Sequence, residues 1–163
     1  MNNLWGSFKK EDFLMPNKIL EKQAEYLPNL TDDYVYAFVE RNTKKEDVIN
    51  KKSTFEDINS FNRESIKFVY DFYIKGKYLK NYSYLLLEIR HELGPYPLDV
   101  ELDGSMIEEI SIKLGQINPG WVFLGQKRIL SIDNEEEFIK VLEVILTSKR
   151  TKSVISAIIN LSN

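Results

Sequence analysis

Between Ser65 and Asp103 the chain alternates apolar and polar residues with a period of two. A strand points successive side chains to opposite faces, so this period marks extended chain with one covered face. In a first predicted strand, Ser65–Ile74, the residues Ile66, Phe68, Tyr70, Phe72 and Ile74 fall on one side and Lys67, Val69, Asp71 and Tyr73 on the other. A turn through Lys75–Asn81, with Gly76 supplying freedom, leads to a second strand, Tyr82–His91. Leu85, Leu86 and Leu87 are apolar in succession there, which predicts a strand covered on both faces and central in its sheet. Pro95 and Pro97 constrain the next turn. Beyond it Leu98, Val100 and Leu102 alternate with Asp99, Glu101 and Asp103, giving a third strand with an apolar inner row and an acidic outer row.

The flanks carry helical spacing. Ile19, Leu20, Ala24 and Leu27 form one stripe over Asn17–Leu27, opened by Pro16 or Asn17 and ended by Pro28. Asp32 and Asp33 make a turn into a strand, Tyr34–Arg41, that is apolar on both faces. Asn42–Ser53 is polar and reads as an exposed loop, and Thr54–Asn62 as a short helix through Phe55, Ile58 and Phe61. Met106–Leu114 has helical spacing, and Trp121–Leu124 and Arg128–Ile132 read as two short strands. Asp133 and Glu136 have capping-box spacing before the stripe of Phe138, Val141, Leu142 and Ile145. Thr147–Ser153 interrupts that helix, and Val154, Ile155, Ile158 and Leu161 continue it or start another. The first fifteen residues hold Leu4, Trp5, Phe8, Phe13 and Leu14, enough apolar surface to pack down on the domain. The sum is a single α+β domain over residues 1–163: a mainly antiparallel sheet of about four to six strands, helices on one face, and a helical C-terminus.

Composition narrows the function. A net charge of −3 gives no general attraction to nucleic acid. With no cysteine there is no disulfide framework and no thiol chemistry. Neither a signal peptide nor a long apolar run is present, so a soluble cytoplasmic protein is expected. There is no G-x-S-x-G, no G-x-G-x-x-G and no phosphate loop. His91 is the sole histidine, so no second His or Cys completes a zinc site, and no metal, cofactor or catalytic residue is assigned. A small hydrolase-like enzyme would have to use His91 with Glu88 and neighbouring acids. A third class, a small-molecule-binding regulatory domain, would be lined by the sheet tyrosines Tyr70, Tyr73, Tyr78, Tyr82, Tyr84 and Tyr96.

The strongest charge signal is local. From Glu92 to Glu109 there are six acids and no Lys or Arg. Charge of one sign repels itself and steers a partner of opposite sign. This makes Asp99, Glu101, Asp103, Glu108 and Glu109 candidate contacts for a basic protein, with Tyr96 as an aromatic anchor.

The run from Phe68 to Leu102, with its aromatic strands and the Tyr96–Pro97 turn, follows a short helix over Ile19–Leu27. In this it resembles small α+β immunity proteins of bacterial contact-dependent inhibition and other polymorphic toxin systems. The resemblance implies a non-enzymatic cytoplasmic inhibitor whose partner is a cognate toxin domain, a basic nuclease for example. It carries over no catalytic residues, and implies neither direct nucleic-acid binding nor membrane attachment.

Overall fold

Five strands form one antiparallel sheet in the order of the chain, β1-β2-β3-β4-β5. They are β1 (Val35–Arg41), β2 (Phe68–Gly76), β3 (Ser83–His91), β4 (Leu98–Leu102) and β5 (Ile129–Ile132). The helices are α1 (Pro16–Leu30), α2 (Thr43–Glu56), α3 (Ile107–Ile117), α4 (Glu135–Leu146) and α5 (Lys149–Ser162). The structure, a computed structural model, describes residue 7 and residues 14–56, 66–121 and 129–162, without the side chains of 52–56. The expected packing of the first residues, the remainder of the Thr54–Asn62 helix and most of the Trp121–Leu124 strand lie outside the described residues. The α+β class, the antiparallel sheet and the helical C-terminus agree with the pattern of the sequence.

Register explains the sheet's two faces. Paired residues of antiparallel strands share a face. Val39 sits opposite Phe72, Phe72 opposite Leu87, and Leu87 opposite Leu102; Tyr70, Ile89 and Val100 form the next row. With Val35, Ile74, Leu98, Leu130 and Ile132 these residues make the covered face, where they join α1, α3, α4 and α5 in a single core. Leu20, Ile110, Leu114, Phe138 and Ile145 are among the helices' fully buried contributions. β3 is the central strand of five, as its leucine run predicts. The run has a second consequence. Between the pairs Phe72–Leu87 and Tyr73–Leu85 the register slips by one, so Leu86 is the extra residue of a bulge. That is how Leu86 and Leu87, adjacent in sequence, are both buried while Leu85 is 40% exposed.

Three boundaries differ from expectation. Pro28 does not end α1, because in the last turn it forfeits only one backbone hydrogen bond. The stop comes at Thr31, and Asp32 and Asp33 turn the chain with positive φ of 48° and 63°. The C-terminal interruption shrinks to Thr147 and Ser148, so α4 and α5 are two helices. The largest correction concerns Asn42–Ser53, expected as a loop: it is the helix α2, and it contacts β2. Its lysine at 45 reaches side chains on the other face of the sheet, so the helices do not all lie on one side. No apolar stripe announced α2: over residues 43–51 its one buried side chain is that of Glu46, and Lys45, Glu46 and Asn50 reach the sheet through polar contacts.

Candidate functional site

The face away from the apolar core carries the charged rows. Asp71 lies opposite Glu88, Glu88 opposite Glu101, and Arg90 opposite Asp99. Like charges placed directly opposite one another destabilise a sheet unless cations intervene. Here Arg90 bonds both Glu88 and Glu101. Lys45 of α2 reaches Glu88 at 2.5 Å and Glu101 at 3.7 Å. Lys67 holds Asp99 at 2.9 Å. Four carboxylates (Asp71, Glu88, Asp99, Glu101) thus meet three cations (Lys45, Lys67, Arg90).

Asp71 is the least compensated of the four. It is 4% exposed. Asn42 donates to its Oδ2 at 2.8 Å and the Tyr73 hydroxyl at 3.2 Å, while its Oδ1 is buried without a partner. Burial raises its pKa, and the charge of Glu88 adds to the rise against the bonds from Asn42 and Tyr73. Asp71 and Tyr73 line a cavity of about 220 Å³ with Glu40, Asn42 and Thr43; Glu88 and Glu101 line another of about 190 Å³ with Lys45 and Asp103.

The predicted contact residues divide. The side chains of Asp99 and Glu101 remain 27% and 32% exposed despite their ion pairs. Asp103 is exposed and accepts from the backbone N–H of Ser105 at 2.8 Å, starting the turn into α3. Glu108 is exposed. Glu109 is tied to Lys113 at 2.9 Å and accepts the Lys149 backbone N–H at 2.8 Å. That N–H and Lys113 hold its pKa below the usual range. Tyr96 packs partly against the core, with its hydroxyl buried. Burial, with the charge of Glu135 added, pushes that hydroxyl's pKa up to about 12. As an anchor it could present only part of its ring.

His91 and Glu88 are not brought together. His91 pairs with Leu98 and Phe68 on the apolar face, whereas Glu88 pairs with Glu101 on the other. The imidazole is 2% exposed and stacks on Tyr70 at 5.7 Å. Its Nδ1 lies 2.6 Å from the Glu92 carbonyl oxygen, and its Nε2 has no partner. Among the described residues no group of three or more His, Cys, Asp or Glu could hold a metal ion, and no helix is long and apolar enough to cross a membrane.

An apolar groove of about 460 Å³ lies on the covered side between α1, α4 and α5. Phe72, Ile74 and Ala37 form its floor, and Leu27, Leu142 and Ile155 are among its walls. Tyr26 is the one tyrosine that lines it, so it is not the pocket of sheet tyrosines expected for a small-molecule domain.

No protein-family model, curated protein or solved structure matches the chain.

Proposed function

We propose that this is a non-enzymatic binding protein of the bacterial cytoplasm, an immunity protein that neutralises a cognate toxin, such as a nuclease, through its acidic surface. One observation supports this above the others. The acid row of β4 is not consumed in the core: Asp99 and Glu101 stay partly exposed, and Asp103, just past the strand, is exposed beside Glu101. Helices α1, α3, α4 and α5 occupy the opposite face, so the sheet presents these acids from a rigid support. A basic toxin surface would gain association rate from them and lose much of that gain in salt.

Co-expression with the C-terminal domain of the polypeptide encoded immediately upstream tests the reading. A stable one-to-one complex that shields target cells is the expected result. Separate elution of the two chains and no protection would overturn it.

A second reading has the apolar groove behind it. Gln23 and Glu143 are polar lining residues, while the Thr147 and Thr151 hydroxyls bond to the Glu143 and Ile145 carbonyls. Such a site would take a mainly apolar molecule. Displacement of a bound fluorescent naphthalene dye by small apolar compounds, and its loss in Ala37→Trp, would favour a ligand-binding regulatory domain instead.

A further inference from the structure

Over residues 43–51, α2 has no buried apolar side chain. The one buried side chain there is that of Glu46, a carboxylate, and Val48 is 53% exposed. Helices of this length hold in proteins chiefly by burying an apolar face, and alone in water they are marginal. What docks this one is a set of polar contacts. Asn42, just before the helix, bonds Asp71. Glu46 accepts from Arg41 at 2.9 Å and from the Val69 backbone N–H at 3.0 Å. Asn50 bonds both the N–H and the carbonyl of Lys67. Asn42, Glu46 and Asn50 are four residues apart, so one helix face replaces β1 along the edge of β2 where β1 has ended. From the same helix Lys45 reaches over the sheet to Glu88 and Glu101.

We propose that α2 is a releasable strap, and that the surface it covers, Asp71, Glu88 and Glu101, is a docking site for a basic protein segment that takes the place of Lys45. Two observations carry this independently. Lys45 already shows what the surface binds: an ammonium group shared by carboxylates of two strands. Asp71, 4% exposed and with one oxygen unpartnered, lines a cavity beside α2 and offers an acceptor that α2 leaves unused. The groups around the site are Lys44, Lys45 and Asn42 from α2 and its lead-in, Lys67 just before β2, Tyr73 from β2, Arg90 from β3, and Asp99 from β4. With Lys45 withdrawn, Arg90 alone remains for Glu88 and Glu101, and the site carries a net negative charge. A guanidinium or ammonium arriving from a partner meets a surface whose shape the sheet fixes in advance. The inference rests on reading the protein as a binder of basic partners, but its test uses no toxin, so the two can fail separately.

Hydrogen exchange on the full chain, with hexa-arginine as the probe, decides it. Lys45→Ala is compared with Lys51→Ala, which changes net charge equally at an exposed residue of the same helix. In Lys45→Ala, and in wild type at 1 M NaCl, the α2 amides should exchange about tenfold faster while β3 amides keep their protection. Hexa-arginine at low salt should bind Lys45→Ala at least about threefold more tightly than Lys51→Ala, because no internal cation competes. In wild type it should speed exchange in α2. If α2 stays as protected as β3 in Lys45→Ala and in salt, there is no strap. Equal affinity of the two variants for hexa-arginine would overturn the docking site even if α2 is released.

Discussion

At the scale of single residues, burial decides what a charge is worth. Asp71 is buried beside Glu88, and its folded-state pKa lies above the ordinary aspartate value. The native state therefore holds this proton more tightly than the unfolded chain does. Its contribution to stability is fullest below the unfolded value, about 3.9, and declines as pH rises through the folded value. Asp71→Asn keeps an acceptor for Asn42 and Tyr73 and removes the titration. Its urea midpoint should exceed that of wild type at pH 7, with the difference shrinking toward pH 4; a constant difference across that range would show that Asp71 is not the source. His91 makes a contrasting case. It sits among Tyr70 and Phe68 with Nε2 unpartnered, so it serves the core as an aromatic ring. His91→Phe gives up the contact with the Glu92 carbonyl and removes the orphan nitrogen. The two effects are each of the order of 1 kcal/mol and opposite in sign, so denaturation should show little net change. The sequence placed His91 next to acids, but strand alternation sends it to the opposite face from Glu88. That separation follows from register, and register is set by partners distant in the chain.

Among the elements, those that bury an apolar row were legible and the one that does not was missed. β4 is read directly from Leu98, Val100 and Leu102, which are all buried. α4 is read from Phe138, Val141, Leu142 and Ile145, but its cap is not the expected Asp133–Glu136 pair: one residue later, the Asn134 side chain accepts from the Glu137 backbone N–H at 3.0 Å. Asn134→Ala should cost about 1 kcal/mol in urea unfolding. Over residues 43–51 α2 buries no such row, and among its partners are backbone groups of Val69 and Lys67, which no local pattern encodes. Its acid response runs opposite to that of Asp71. Burial opposes ionisation of Glu46, but Arg41 and the Val69 N–H outweigh it and hold the pKa below the usual value. The contribution of Glu46 is thus present above the unfolded glutamate value of about 4.3 and is lost as pH falls through the lower folded value. Gly76 shows a tighter constraint between elements. A Cβ there would stand 2.7 Å from Cγ2 of Ile158, a branched side chain of α5 that cannot swing aside. Gly76→Ala should destabilise by about 1–3 kcal/mol, read as a lower urea midpoint.

For the whole molecule, the acidic segment from Glu92 to Glu109 is weaker in space than along the chain. The cations that answer it come from 11 and 32 residues away, as Arg90 meets Glu101 and Lys67 meets Asp99, beyond the reach of a charge count within the segment. This changes how the acid row must be tested. Reversing Asp99, Glu101 and Asp103 to Lys would set new cations against Lys67, Arg90 and Lys45 and endanger the fold itself. The amides Asp99→Asn, Glu101→Gln and Asp103→Asn keep shape and hydrogen bonding while removing the charge.

The most direct measurement is calorimetric titration of wild type and this triple amide variant with the C-terminal domain of the upstream-encoded polypeptide, at 50 mM and 300 mM NaCl. Binding through the acid row predicts a loss of at least about tenfold in affinity for the variant at low salt, narrowing at high salt as screening weakens the wild-type interaction. Equal affinities at both salt concentrations, with the variant folded by circular dichroism, would contradict it.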